Sequence, residues 1–201
     1  MKSSSEHWNS IFSGAEDSTL GWYEKDLTPT FTLLEQIEKW ESSSIFIPGA
    51  GTSTLVDALL TKNTKLVLND ISSTALNNLK DRLGKQDIEW ICQDIAQPIQ
   101  MPIVDIWIDR AVLHFLTEEK NINGYFNNLK SNLKIGGYAI FAEFSKEGAT
   151  KCAGLNIHQY SVDELSKRLG TSFSLISSFE HVYVNPNGEP RPYIYALFKK
   201  E

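Results

Sequence analysis

The stretch SIFIPGAGTSTLVDALL, residues 44–60, decides the fold of this chain. It begins as an apolar run of strand composition and ends in a segment whose apolar residues recur at helical spacing. Between them lies the turn Gly49-Ala50-Gly51. In such a unit one glycine permits a tight turn and the other lets a ligand approach the backbone. The stretch therefore predicts an α/β domain that binds a nucleotide-like ligand at this turn.

Strand and helix patterns alternate after this stretch. Strand-like runs follow at residues 65–70, 88–94, 104–110 and 138–145, with helix-like runs at 72–84, 125–137 and 161–170. This alternation predicts a parallel sheet with helices on both faces. Two last strand-like runs, at residues 173–184 and 191–200, flank the turn signal Asn187-Gly188. The predicted fold is thus a Rossmann-like, mostly parallel sheet that ends in an antiparallel hairpin.

The residues before the first strand lack the alternation of strand-like and helix-like runs seen in the rest of the chain. Residues 1–42 contain a short helical pattern, the aromatic pair Trp22-Tyr23, and a second helical pattern that Pro29 begins. We expect them to form an N-terminal lid segment on a binding domain of residues 43–201, within one compact domain. Trp22 and Tyr23 are candidate substrate contacts, although ordinary packing at the sheet edge explains them equally well.

The bulk composition narrows the class of protein. A formal net charge of −6 over 201 residues weighs against nucleic acid, because phosphate binding needs a basic surface. No apolar run approaches the ~20 residues of a membrane span, and the first residues lack the apolar part of a signal peptide. The two cysteines have no metal-site spacing. We therefore expect a cytoplasmic protein with a small-molecule partner and without a metal; the sequence is silent on its oligomeric state.

Two ligand classes fit a glycine turn, a nicotinamide dinucleotide and S-adenosylmethionine. Asp70 ends the second strand about twenty residues after the turn, where a carboxylate accepts hydrogen bonds from ribose hydroxyls. Thr54 stands where the third glycine of a dinucleotide fingerprint belongs. Asp94 ends the third strand, in position to receive an adenine amino group. These features favour S-adenosylmethionine.

The segments IFIPGAGTS, LVLNDIS, WICQDI, DIWIDRAVLHFL and GGYAIFAEF resemble the motifs of the class I S-adenosylmethionine-dependent methyltransferases. The resemblance covers residues 44–145. It implies a seven-stranded sheet, S-adenosylmethionine as the cofactor, and methyl transfer as the activity. It also implies a set of cofactor-binding residues, which are Pro48, Gly49, Ala50, Gly51, Asp70, Ile71, Asp94, Ile95, Asp109 and Arg110.

The resemblance assigns these residues to parts of the cofactor. The glycines would line the methionine and ribose, and Asp70 would bind the ribose hydroxyls. Asp94 would bind the adenine amino group, with Ile71 and Ile95 packed on the ring, while Asp109 and Arg110 would border the methionine end.

The chain departs from the family pattern at two positions. Pro48 stands where members carry an acidic residue, and Ser53 replaces the last glycine of the turn. The cofactor ammonium must then rely on backbone carbonyls or on another carboxylate.

His114 is the candidate catalytic residue. It lies just after the fourth strand, where ligands meet the carboxyl ends of parallel strands, and its ordinary pKa near 6.5 suits a general base. A structural or substrate-contacting role for it stays open. His158 and Tyr160, which follow the fifth strand, are further candidates for contact with the acceptor.

The leading interpretation is a methyltransferase that acts on a small molecule. A protein lysine methyltransferase is the first alternative, because relatives of that kind share the early tryptophan pattern and because an acidic chain suits a basic target. A non-catalytic S-adenosylmethionine-binding protein is the second, and Pro48 and Ser53 are the residues that favour it.

Overall fold

The computed structural model of the protein describes residues 3–14 and 16–201. The strands are β1 (Ser44–Ile47), β2 (Lys65–Asp70), β3 (Ile88–Cys92), β4 (Val104–Arg110), β5 (Leu133–Phe144), β6 (Lys151–Cys152), β7 (Leu155–Asn156), β8 (Phe173–Val184) and β9 (Pro190–Lys200). The helices are α1 (Ser5–Gly14), α2 (Thr28–Leu34), α3 (Thr54–Leu60), α4 (Ser73–Leu83), α5 (Glu119–Asn132) and α6 (Val162–Leu169).

Seven strands form one sheet in the order β3-β2-β1-β4-β5-β9-β8. Strands β1 to β5 are parallel, while β9 runs antiparallel to β5 and β8 antiparallel to β9. The predicted fold is confirmed, including the C-terminal hairpin. The chain leaves β1 toward β2 and β3 and then crosses back to β4, so the strand order reverses between β1 and β4. A crevice outside the carboxyl ends of these two strands is the place where such sheets bind ligands.

The strands bury alternate side chains on the two faces of the sheet. Ile45 and Ile47 pack on one side with α2, α3 and part of α4, and Phe46 packs on the other side with α5 and α6. Trp107 is fully buried in the second layer and donates a hydrogen bond of 2.8 Å to the hydroxyl of Tyr125. Buried side chains therefore cover both faces of the sheet.

Two helix ends differ from the sequence patterns. The apolar spacing predicts a helix from Pro29 to Trp40, but α2 ends at Leu34, and tight turns with Lys39 in a left-handed conformation (φ 59°) carry the chain onward. The pattern at residues 125–137 predicts a helix that stops at its glycines, whereas α5 ends at Asn132 and β5 begins directly. After α2 the chain forms local turns that bury Ile37 and Trp40 in the core, and after α5 the pairing of Leu133 with Val104 of β4 ends the helix.

The N-terminal helix α1 packs over the carboxyl edge of the sheet, against α4. Trp8 and Phe12 are buried there with Leu20 and Ala75. Asn78 of α4 donates a hydrogen bond of 2.9 Å to the carbonyl of Phe12. Within the described ranges, no helix has the length and hydropathy that a membrane span requires.

A glycine inside α5 gives a test of this packing. A Cβ atom at Gly124 would lie 2.0 Å from the carbonyl oxygen of Ala96, although alanine inside a helix is normally more stable than glycine by roughly 0.8–1.0 kcal/mol. We expect Gly124→Ala to lower the free energy of unfolding by about 1–3 kcal/mol, because the backbone must shift. Urea unfolding measures this.

The control is Gly14→Ala at the end of α1, where an added Cβ meets nothing within 4 Å. We expect no loss of stability in that variant. A Gly124→Ala protein as stable as the wild type would contradict the close contact between α5 and the loop after β3.

Candidate functional site

A cleft lies over the carboxyl ends of β1, β2, β3 and β4. It encloses about 1100 Å³, part of which is open solvent. The N-terminal segment covers it with aromatic side chains, which are Trp8, Phe12, Trp22 and Tyr23. Phe115, from the turn after β4, completes this aromatic wall, and its ring centroid is 4.8 Å from that of Trp8.

The cleft brings together ten of the residues that the sequence predicts for the site. These are Trp22, Tyr23, Gly49, Ala50, Gly51, Asp70, Ile71, Asp94, Ile95 and Arg110. Five predicted residues do not line it, namely Pro48, Asp109, His114, His158 and Tyr160.

The glycine turn is shaped by the chain's own side chains. Gly49 and Gly51 have φ values of 52° and 53°, which favour glycine. A Cβ at Gly49 would lie 2.4 Å from a methyl of Val112, and one at Gly51 would lie 3.2 Å from the ring of Phe12. The close approach that the sequence assigns to a ligand is therefore made here by Val112 and Phe12.

Asp70 connects the end of β2 to the glycine turn. One carboxylate oxygen accepts a hydrogen bond of 2.8 Å from the Gly51 N–H, and the other accepts one of 2.8 Å from the Ser72 N–H. The residue is 5% exposed, and its burial raises the pKa of the carboxyl to about 6 against the opposing effect of these bonds. Because each carboxylate oxygen can accept more than one bond, Asp70 also has acceptor capacity toward the cleft.

Asp94 stands at the neighbouring strand end. Its side chain accepts a hydrogen bond of 2.9 Å from the Ala96 N–H and borders the cleft between Ile71 and Ile95. The carboxylate and two aliphatic side chains together form a half-polar slot at the ends of β2 and β3.

Arg82 of α4 is a residue that sequence reasoning missed. Its guanidinium donates to the carbonyls of Thr52 (2.8 Å) and Ser53 (2.9 Å) and pairs with Asp57 at 2.6 Å. It thereby clamps the end of the glycine turn. In the sequence Arg82 is one of two cations near the end of a helix, so no local signal marks it.

Glu24 was also missed, and it lies inside the cleft with Arg110. One Glu24 oxygen is 2.9 Å from Nε of Arg110, and the side chains are 7% and 11% exposed. Nη1 of Arg110 donates to the carbonyl of Trp22 at 2.8 Å. Burial raises the pKa of Glu24, with the charge of Arg110 acting in the opposite direction. The only sequence signal is that Glu24 directly follows Trp22-Tyr23.

Pro48 and Asp109 do not reach the cleft. Pro48 is buried in the turn that follows β1, while its neighbours Ile47 and Gly49 line the cleft. Asp109 is fully buried and accepts a bond of 2.5 Å from the Tyr125 hydroxyl.

The Asp109 carboxylate holds the turn after β4. It accepts bonds of 3.1 and 3.2 Å from the N–H groups of Val112 and Leu113. Burial, together with the nearby carboxyl of Glu143, raises the pKa of Asp109 well above its usual value. Because Val112 packs on Gly49, Asp109 acts on the site through that packing and not by touching a ligand.

His114 does not lie where a base could touch an acceptor. It is fully buried, with Nδ1 2.6 Å from an oxygen of the equally buried Glu143. Its ring packs behind Phe115, which faces the cleft, at a centroid distance of 4.3 Å. Burial lowers the pKa of His114 to about 3 and raises that of Glu143 to about 8, so both groups favour their uncharged forms. In this position His114 supports Phe115 and does not itself line the cleft.

His158 and Tyr160 are also held away from the cleft. The N–H of His158 donates to the His114 carbonyl at 2.8 Å, and its ring nitrogen is 2.7 Å from Glu164. Tyr160 is fully buried, and its N–H donates to the Phe144 carbonyl at 2.9 Å. These bonds fold the loop before α6 back onto the protein, so neither side chain contacts the cleft.

The chain is similar to known proteins over the residues that form the cleft. A family model described as a methyltransferase domain matches residues 47–141, which include the glycine turn and most of the cleft. The malonyl-[acyl-carrier protein] O-methyltransferase 2 of Ilyobacter polytropus is 30% identical over 102 residues, or 49% of this chain and 38% of that protein. The chain thus matches about two fifths of the length of this curated relative.

Solved structures share the fold. A methyltransferase from Anabaena variabilis superposes with a TM-score of 0.76 at 15% identity, over 98% of this chain and 93% of that one. The 1,6-didemethyltoxoflavin-N1-methyltransferase of Burkholderia thailandensis, with S-adenosylhomocysteine bound, gives 0.69 at 13% identity, over 98% and 83%.

The strand order and the position of the cleft agree with the match to a methyltransferase domain. Residues 47–141 therefore match a methyltransferase domain, and the chain has the fold of solved S-adenosylmethionine-dependent methyltransferases.

Proposed function

We propose that this chain transfers a methyl group from S-adenosylmethionine to a small-molecule acceptor in the cleft. The charge of the cleft is the observation that carries the proposal. Its lining includes the carboxylates of Asp17, Glu24, Asp70 and Asp94, and Arg110 is the only cation of the lining in the described part of the chain. A sulfonium cation is attracted to such a site, whereas the diphosphate of a nicotinamide dinucleotide is repelled.

The strand ends fit the adenosine half of the cofactor. Asp70 has acceptor capacity for ribose hydroxyls, and Asp94 for an adenine amino group. Ile71 and Ile95 offer apolar contact to a ring between them. Since β4 lies on the other side of β1, the methionine half extends toward Arg110.

The residues of the cleft favour catalysis by positioning. The cofactor brings a methyl group that its sulfonium already activates. The chain must then hold an acceptor lone pair about 3–3.5 Å away and in line. No histidine, lysine or cysteine lines the cleft within the described ranges, so a carboxylate is the strongest base that its walls offer.

The N-terminal segment of residues 1–42 acts as the lid in this proposal. The rings of Trp8 and Trp22 meet edge to face at 5.6 Å, and Phe12 meets Trp22 at 6.1 Å. This aromatic cover excludes water and shapes a pocket that suits a small acceptor. The net charge of −6 favours such an acceptor over nucleic acid.

The names of the similar proteins support the class of reaction. One relative is named as an O-methyltransferase of a malonyl-acyl carrier protein, and one structural neighbour as an N-methyltransferase of a small heterocycle. Because their acceptor atoms differ, the likeness supports methyl transfer and not one particular acceptor.

Calorimetry and isotope transfer test the proposal. We expect S-adenosylhomocysteine to bind and a nicotinamide dinucleotide not to bind. We then expect methyl-labelled S-adenosylmethionine, incubated with the protein and a cell extract, to label the small-molecule fraction. Label in the protein fraction would replace this proposal with a protein methyltransferase. Binding without any transfer would leave a non-catalytic binding protein.

Asp70 gives a pH-dependent prediction. Its pKa near 6 means that the carboxylate is ionised above this pH and protonated below it. Ionised Asp70 accepts stronger hydrogen bonds from hydroxyls, worth about 1.5–3 kcal/mol. We therefore expect the affinity for S-adenosylhomocysteine to fall severalfold, by at most about tenfold, between pH 8 and pH 5, as calorimetry at several pH values would show.

The matched variants are Asp70→Asn and Asp17→Asn. We expect Asp70→Asn to bind weakly at every pH, with a flat profile. Asp17 pairs with Arg82 at 3.3 Å, and its replacement should leave the profile unchanged. A profile that keeps its shape in Asp70→Asn would show that another group titrates.

A further inference from the structure

We propose that the buried Glu24–Arg110 pair binds the amino-acid end of the cofactor, with Glu24 accepting from the α-ammonium and Nη2 of Arg110 donating to the α-carboxylate. This inference rests on the proposed function. It names a carboxylate for the ammonium that the glycine turn does not supply, and it places that carboxylate on the N-terminal segment.

The position of Glu24 follows from two contacts. The hydroxyl of Thr54, just after the glycine turn, donates to the Glu24 carbonyl at 2.8 Å. The Glu24 side chain pairs with Arg110 at the end of β4. Glu24 therefore lies between the ends of β1 and β4, on the side of β1 opposite to Asp70 and Asp94. A ligand whose adenosine lies at β2 and β3 has its far end here.

The other cleft carboxylates already have different partners. Asp17 pairs with Arg82, Asp70 accepts from two backbone N–H groups, and Asp94 accepts from Ala96 at the adenosine side. Glu24 is the remaining carboxylate among the described lining residues. Its present contacts, to Arg110 and to the Tyr195 hydroxyl at 3.4 Å, leave acceptor capacity on both oxygens.

Arg110 has a donor that the described protein does not use. Nη1 donates to the Trp22 carbonyl and Nε faces Glu24, but Nη2 is buried and has no hydrogen-bond partner among the described residues. The rings of Tyr183 and Tyr193 lie 5.0 and 5.8 Å from the guanidinium carbon. A buried donor without a partner is costly, so an anionic oxygen at Nη2 is favoured.

A zwitterion suits this pair better than a simple anion or cation. An anion bound to Arg110 would also lie close to the Glu24 carboxylate, and a cation bound to Glu24 would also lie close to the Arg110 guanidinium. At such distances like charges repel. A ligand with an ammonium and a carboxylate on one carbon offers each partner its complement. The net charge of the buried group then stays near zero, which the surrounding aromatic residues require.

Truncated ligands test each half of the proposal. The probes are S-adenosylhomocysteine, its analogue without the carboxylate, and 5′-methylthioadenosine, which lacks both groups. We expect Glu24→Gln to weaken the first two about tenfold or more and to change the third less than twofold. We expect Arg110→Lys, which keeps the charge but loses Nη2, to weaken S-adenosylhomocysteine alone. Calorimetry measures all nine affinities.

Further variants separate binding from folding. Glu41→Gln is the control, because Glu41 pairs with Lys62 and does not line the cleft. If Glu24→Gln does not fold, Glu24→Asp keeps the charge but shortens the side chain, and it should weaken the two ammonium-bearing probes severalfold. Equal losses for all three probes, or no loss, would overturn the assignment. Failure of the wild type to bind any probe would instead overturn the proposed function.

Discussion

The carboxylate of Asp70 is the interaction on which the site depends. It spans from the end of β2 to the glycine turn after β1 and accepts from the Gly51 N–H, so two strand ends become one surface. The turn is then closed from three other sides, by Val112, by Phe12 and by the carbonyl contacts of Arg82. This turn is preorganised by the protein itself, and a ligand meets a surface that does not have to form on binding.

The two halves of the cleft are supported in different ways. At β2 and β3, Asp70 and Asp94 each accept a bond from a backbone N–H two residues away, and Asp70 also accepts the bond from Gly51. At β4 the buried Asp109 carboxylate accepts bonds from the Tyr125 hydroxyl and from the Val112 N–H, and it thereby fixes the turn after the strand. The His114–Glu143 contact braces the same turn from the side of β5. The β4 side of the cleft is therefore supported by α5 and β5 as well as by its own turn.

Part of the fold and of the site could be predicted from sequence alone. The sheet, the hairpin, Asp70 and Asp94 follow from strand periodicity and from the rule that ligands meet strand ends, and both rules act locally. Arg82 and Glu24 could not be found in this way, because their ion-pair partners are 25 to 86 positions away along the chain. His114 also follows a strand end, but its ring lies against Glu143, and both side chains are fully buried away from the cleft.

The proposed Glu24 assignment changes what the N-terminal segment does. A carboxylate in the glycine turn would be in place whether or not the lid is closed. On the N-terminal segment, the carboxylate is in place only when Arg110 binds the Trp22 carbonyl and the Tyr183 hydroxyl binds the Tyr23 carbonyl. A ligand that contacts Glu24 then stabilises the closed segment by the amount of its preference for that state. In this proposal, cofactor binding at Glu24 also stabilises the positions of Trp22 and Tyr23 in the aromatic wall, because the three residues are consecutive.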